Sequence, residues 1–226
     1  MRKTFFFVAV LWFILPAFVC AQNPNGTAET IAPGLKAINE FTLVGEKSFL
    51  TGYEAQNSDG TLNVVVEIPT GTTAKWEVSK PEGYLKWNFK NGKPRLVQYL
   101  GYPGNYGMIP KTLLPKELGG DGDPLDVIIL GPAAPRGAVV KAKLLGVLKL
   151  LDGGEQDDKL IAVYEQSALY QVDNLAELNK KFPGVSEIIE LWFTNYKGPG
   201  EMESLGFGDI AEARKILDAA VKAFAE

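Results

Sequence analysis

The chain has no histidine and a single cysteine among its 226 residues. These absences exclude whole classes of chemistry. A Ser-His-Asp or Cys-His nucleophile needs an imidazole to carry the proton. Zinc proteases of the HExxH type need two, and structural zinc sites need clusters of Cys and His. Any catalysis must run on carboxylates, lysines, arginines, tyrosines or hard metal ions held by oxygen. Excess positive charge is also lacking. There are 23 Lys+Arg against 27 Asp+Glu, a formal charge of −4, and the sequence pI is near 5.1. That balance leaves no electrostatic footprint for a nucleic-acid partner. The hydrophobic fraction of 46% suits a globular chain and is too high for a disordered one. One domain of moderate size is expected.

The first 21 residues are set apart from the fold. Arg2 and Lys3 form a basic start, Phe5 to Val19 is apolar apart from Pro16, and Val19-Cys20-Ala21 offers a small-residue cleavage site before Gln22. That is the anatomy of a secretory signal peptide, and the expectation is an exported protein, periplasmic or secreted. The apolar run is shorter than the ~18 residues a spanning helix needs, so no stable membrane span is expected after cleavage. An uncleaved anchor is the alternative. A lipoprotein reading would lipidate Cys20, but Phe18 and Val19 are bulky where small residues are expected. Cleavage after Ala21 removes the only thiol, so an oxidising compartment costs the mature chain nothing.

Residues 22–60 read as an N-terminal extension, loose and polar to about Asn39. From Thr61 onward the signals are strands. Leu62 to Ile68 is β-branched and stops at Pro69. In Ala74 to Val78 the alternation places Lys75 and Glu77 on one face, Trp76 and Val78 on the other. Leu125–Leu130, Val139–Leu151 and Lys159–Val163 are further strands, separated by turns such as Tyr102-Pro103-Gly104-Asn105. The last third is helical: Asn174–Phe182, Val185–Tyr196, and a final helix capped by Asp209 with Ile210, Ala213, Leu217, Ala220, Val221 and Phe224 in one stripe. Strands first and helices afterwards give an α+β, mainly β layout.

The densest chemistry lies at Asp121-Gly122-Asp123-Pro124-Leu125-Asp126. Gly122 and Pro124 impose a tight turn that lets three carboxylates converge. Three like charges so close must be neutralised by protons or cations, and carboxylate oxygen suits Mg²⁺, Mn²⁺ or Ca²⁺. An EF-hand is rejected, because Leu125 and Asp126 stand where that loop needs an oxygen ligand and a glycine. The bland reading is a solvated acidic turn. Two features weigh against it: a second acidic cluster (Asp152, Glu155, Asp157, Asp158), and lysines among the acids, Lys75 near Glu67 and Glu77 and Lys159 beside Asp157. Glu155 and Asp158 are read as a polar hairpin turn. Divalent ions on one side and cationic side chains on the other suit a phosphate substrate.

Asp121 to Val127 resembles the signature of the soluble family I inorganic pyrophosphatases, D-x-D-P-x-D followed by an aliphatic residue. Further matches keep order and spacing: Val66-Glu67-Ile68-Pro69, Lys75-Trp76-Glu77, Tyr102 to Gly107, Gly146 to Lys149 with Asp152, Asp157 and Lys159, then Tyr196-Lys197. The resemblance runs from about Asn63 to Lys197 and makes 61–226 the catalytic domain. It implies an OB-like five-stranded antiparallel barrel with flanking and C-terminal helices, and Mg²⁺-dependent hydrolysis of inorganic diphosphate to two phosphates. Several Mg²⁺ ions per site are implied, Mn²⁺ as a possible substitute and Ca²⁺ as inhibitory.

The roles carried over are as follows. Asp121, Asp126 and Asp152 would hold the metal pair that binds the attacking water, and Asp123 would take or orient that water's proton. Asp152 and Asp157 would bind metals arriving with substrate, with Glu67 and Glu77 around them. Lys75, Arg95, Tyr106, Lys159, Tyr196 and Lys197 would bind phosphate. Placing Arg95 requires a shift of about one residue before Tyr102. A homo-oligomer is implied by the resemblance to bacterial relatives. The alternatives are an exported phosphohydrolase of polyphosphate or organic phosphoanhydrides, and a non-catalytic OB-type binding module with a relic site.

Overall fold

In the computed structural model, residues 30–114, 120 and 122–226 are described; residues 1–21, read above as a signal peptide, and Asp121 lie outside them. The strands in chain order are β1 (Lys36–Asn39), β2 (Thr42–Val44), β3 (Leu62–Ile68), β4 (Trp76–Val78), β5 (Leu85–Trp87), β6 (Phe89–Lys90) and β7 (Lys93–Pro94). They continue with β8 (Asn105–Met108), β9 (Asp126–Leu130), β10 (Val139–Asp152), β11 (Glu155–Gln156), β12 (Lys159–Tyr164) and β13 (Met202–Gly208). The helices are α1 (Leu175–Lys181), α2 (Val185–Asn195) and α3 (Ile210–Ala225).

Five of these strands close on themselves. β3 pairs with β8, β8 with β9, and the long β10 with both β12 and β3, all antiparallel. The ring is completed by β9 and β12, which run parallel, Val127 opposite Leu160 and Leu130 opposite Val163. The expected barrel is therefore present, with one pairing that is not antiparallel. A parallel pair needs a crossover between its strands, and β10, lying between them in sequence, provides it. A closed ring leaves no free edge on these strands.

The near-continuous apolar runs of β9 and β12 follow from burial on both faces. Val127 and Ile129 join a core with Ala213, Leu217 and Ala220 of α3. Ile128 and Leu130 face the other way, into a core with Ile189, Trp192 and Phe193 of α2. The first and last helices keep their expected starts. Asp209 accepts a hydrogen bond from Glu212 N and caps α3, and Asn174 does the same for α1 through Glu177 N.

Three features differ from the sequence reading. The arm read as loose to about Asn39 ends in a strand, β1, which with β2 extends a four-stranded sheet with β5 and β4, and beyond it Leu43, Phe49 and Leu50 are buried with Val65, Trp76, Leu85 and Met108. The segment after the Tyr102–Gly104 turn is a strand, β8. It lies so close to β3 that a Cβ on Gly107 would fall 1.9 Å from the Val65 carbonyl oxygen. Finally, β13 pairs along β10 with a register shift between Lys149 and Leu150. Its two glycines and half-exposed side chains gave no period-two signal.

Candidate active site

One mouth of the barrel opens into a cleft of about 540 Å³. Its floor is built by β8, β9 and β12. On these neighbouring strands Tyr106, Asp126 and Lys159 are brought together, although 53 positions separate the first from the last in sequence. Lys159 is 3% exposed, and its Nζ donates to Asp126 Oδ2 and Asp157 Oδ1, both at 2.6 Å. An ammonium so buried persists only when paired. Burial alone would lower its pKa, but Asp126 and Asp157 outweigh that and raise it well above the ordinary lysine value. Burial likewise opposes ionisation of Asp126, and Lys159 and Lys75 overcome it, holding its carboxyl below the usual range. Asp157 goes the other way, raised chiefly by burial. Burial, then the charge of Asp126, pushes the Tyr106 hydroxyl well up, so it stays a protonated donor.

The walls come from turns. The acidic turn is tied to the core by buried Thr112, whose hydroxyl donates to Ile109 O (2.6 Å) and accepts from Leu125 N (2.9 Å). Asp123 leaves this turn half-exposed and pairs with Lys80, whose Nζ also donates to Gly122 O at 2.8 Å. On the opposite side Gly153 and Gly154, both at positive φ (58° and 92°), make the two-residue turn from β10 into β11. That turn sets Asp152 and Asp157 at the rim, and Lys197 is paired with Asp152. Asp158 folds back to accept from Leu150 N at 3.1 Å, the hairpin role expected of it, yet it and Glu155 also line the cleft.

The third wall is β3 and β4. Glu67 is 4% exposed and accepts from Val78 N at 2.6 Å. Burial pushes its pKa up to about 8; Asp126 and Glu77 add to this and Lys75 opposes it. Lys75 stands with its Nζ 4.8 Å from the centroid of the Tyr106 ring, and Glu77 accepts from Asn88 Nδ2 at 2.6 Å.

Glu67, Lys75, Glu77, Tyr106, Asp123, Asp126, Asp152, Asp157 and Lys159 thus share one cleft. Asp121 lies outside the described residues. Arg95, Tyr196 and Lys197 are outside the cleft lining; Lys197 reaches the cleft through Asp152. The main chain of Arg95 receives Lys75 N and the Trp87 indole, both at 3.0 Å, so Arg95 shapes the strand that carries Lys75. Tyr196 stacks on Trp192 (4.6 Å, 9°), which in turn contacts Tyr102 at 4.3 Å. Two groups escaped the sequence reading. Nothing in the sequence separates Lys80 from an ordinary surface lysine. Asn105 is fully buried and anchors Tyr106: its Oδ1 accepts from Thr70 N and Ala134 N, and its Nδ2 donates to Pro132 O.

Eight carboxyl side chains line the cleft against three lysines. Such a lining repels an anion unless further cations enter with it. The donors are all hard oxygens, with no imidazole or thiolate, which fits Mg²⁺-like ions. Among the described residues no three acidic groups already converge on one point; Lys159 lies between Asp126 and Asp157, while Lys80 pairs with Asp123 and Lys197 with Asp152.

The family model of inorganic pyrophosphatase matches residues 64–225. The chain is 37% identical over 172 residues to an inorganic pyrophosphatase of Gluconobacter oxydans, covering 72% of this chain and 90% of that one. It is also 37% identical over 158 residues to the mitochondrial inorganic pyrophosphatase of Saccharomyces cerevisiae, covering 62% of this chain and 51% of that one. Among solved structures it superposes on the type I inorganic pyrophosphatase of P. falciparum with a TM-score of 0.74 at 26% identity, covering 84% of this chain and 70% of that one. The chain spans about half the length of several curated relatives it matches. It belongs to the inorganic pyrophosphatase family.

Proposed function

We propose that this chain hydrolyses inorganic diphosphate to two phosphates, with Mg²⁺ as the working ion. The observation that carries the reading is the cleft lining: an excess of carboxylates around three lysines, of which Lys159 is buried. It excludes a free anion and accepts one that arrives with divalent cations. Asp126, Asp152 and Asp157, together with Asp121, would hold these ions, with Glu67 and Glu77 around them. Bound there, they supply charge neutralisation and a water acidic enough to act near neutral pH.

The remaining roles fall to side chains of the chain itself. Asp123, half-exposed on its turn, accepts the proton of the attacking water. Water attacks one phosphorus, the bridging P–O bond breaks, and its electron pair leaves with the second phosphate. Lys75 and Lys159 place positive charge against that leaving group, and Tyr106, kept protonated by burial, donates to it. Lys197, with Tyr196 packed beside it, offers a cation at the outer rim.

Two finer statements belong to the same reading. Residues 1–21 direct export, supported by their basic, apolar and small-residue order. The mature chain assembles as a homo-oligomer, supported by the exposed Ile188 and Leu191 of α2 and by Leu100, 72% exposed. N-terminal sequencing beginning at Gln22 and light scattering check these.

The purified chain should release phosphate from Mg²⁺-diphosphate, and Asp123→Asn should lower the rate by about 10²–10⁴-fold while leaving the thermal midpoint unchanged. Replacing Mg²⁺ with Ca²⁺ should inhibit, because the larger ion holds oxygen at longer distance and in looser geometry. A parent that releases no phosphate, or an Asp123→Asn variant as fast as the parent, defeats the reading.

A further inference from the structure

Arg136 is 1% exposed and among the largest fully buried side chains of the described residues. It precedes β10 on a turn remote in sequence from every cleft residue on β3 and β4. Its Nη1 donates to the carbonyl oxygen of Glu67, and its guanidinium lies 4.9 Å from the centroid of the Trp76 ring. The location of that carbonyl is what matters. The β3–β8 ladder pairs Val66 with Gly107 and Ile68 with Tyr106, so Glu67 is an extra residue in β3 with no partner across the ladder. A bulge of this kind re-aims a side chain and releases a backbone group from pairing. Here the released carbonyl is taken by Arg136, while the re-aimed carboxylate points into the cleft and receives Val78 N.

The arginine is itself held from outside. Arg136 N donates to Thr30 O and Ala32 N donates to Arg136 O, both at 2.9 Å, and Gly137 N donates to Val66 O at 2.7 Å. A chain of contacts therefore runs from the N-terminal segment, through Arg136, to the bulge that aims Glu67. The guanidinium also rests against Trp76, next to Glu77 on β4. Arg136 lies well behind the cleft lining, so it acts through other groups.

We propose that Arg136 is a positioning residue. It locks the bulge at Glu67 and so sets the carboxylate geometry on the β3–β4 wall for divalent-cation binding, and residues Thr30–Ala32 hold it in place. The inference rests on the diphosphatase reading for its effect on turnover, but cation affinity tests it independently. Calorimetric titration of the full chain with Mg²⁺ should show about tenfold weaker binding in Arg136→Met, the scale expected when a group orienting a ligand is lost. The Mg²⁺ concentration for half-maximal phosphate release should rise by the same factor. Arg136→Lys, which keeps a donor and a charge, should recover part of that affinity. Ala32→Pro, which removes the N–H that meets Arg136 O, should weaken Mg²⁺ binding in the same direction by less.

In a Glu67→Gln background, Arg136→Met should change Mg²⁺ affinity by less than about twofold, because both changes act on one unit. Unchanged Mg²⁺ affinity in Arg136→Met with only a lower melting temperature overturns the proposal, as does a full tenfold loss persisting in Glu67→Gln. Should Arg136→Met fail to fold, Arg136→Lys and Ala32→Pro decide, and parent-like affinity in both overturns it. A parent that binds Mg²⁺ but releases no phosphate defeats the functional reading and leaves this test intact.

Discussion

Lys159, on the floor of the cleft, and Arg136, behind its wall, are both almost wholly removed from water, and the contacts that tie them to the cleft differ in kind. Lys159 sits between two carboxylates at 2.6 Å each. Arg136 meets a backbone carbonyl and the face of an indole ring. The difference teaches what each cation is for. A point-like ammonium between carboxylates balances charge where charge will change during reaction, whereas a planar guanidinium against a carbonyl and a ring fixes geometry. The floor is therefore an electrostatic device and the wall behind Glu67 a mechanical one.

Substitutions can break or sharpen that contrast. The largest effect should come from Lys159→Met. It leaves Asp126 and Asp157 facing each other with no cation between them, so urea unfolding should show a loss of about 3–5 kcal/mol at neutral pH. Phosphate release should fall at least about 100-fold at saturating Mg²⁺. A mild loss in both would mean the floor is not organised by charge. Asp209→Ala gives an intermediate effect: it removes only the cap of α3 and should cost about 1 kcal/mol with turnover retained. If turnover fell with stability, the helix behind the barrel would be coupled to the cleft, and the contrast between floor and wall would be too local.

The smallest effect belongs to the Lys143–Asp173 pair, 2.6 Å apart on the surface with Asp173 73% exposed. The hydrogen bond from Lys143, then its charge, holds the Asp173 carboxyl below its ordinary value. A depressed carboxylate stabilises the fold above its unfolded pKa of about 4, and the contribution disappears as pH falls below that. Asp173→Asn should therefore differ slightly from the parent at neutral pH and low salt, and the two should converge in acid or in about 1 M salt. A difference that survives salt would show that exposed pairs matter here as much as buried ones.

Much of this was legible along the chain. The acidic stretch from Asp123 to Asp126, the alternation that puts Lys75 and Glu77 on one face, the helix beginning at Asn174 and the cap at Asp209 are local signals; Lys75, Glu77, Asp123 and Asp126 line the cleft, and both helices start where their patterns place them. Local signals failed where tertiary contacts did the work. β8 was hidden because the turn chemistry of Tyr102–Asn105 masks a strand held only by its neighbours. Lys80 looks like any surface lysine until the fold brings Asp123 to it. Residues 41–60 read as extension because the family resemblance begins only near Asn63, yet Leu43, Phe49 and Leu50 are buried in one core with Val65 and Trp76.

The sequence by itself determined the chemistry. With no histidine and a thiol only at Cys20, the reacting groups had to be oxygens and amines, and the clusters at 121–126 and 152–158 named the oxygens. Only the tertiary structure decided which amines complete them. Charge pairing acts over a few ångströms of space rather than along the chain. Lys159 reaches Asp126 because β9 and β12 run side by side. Arg136 reaches Glu67 because a bulge in β3 leaves one carbonyl without a partner across the ladder, and a buried carbonyl must find a donor.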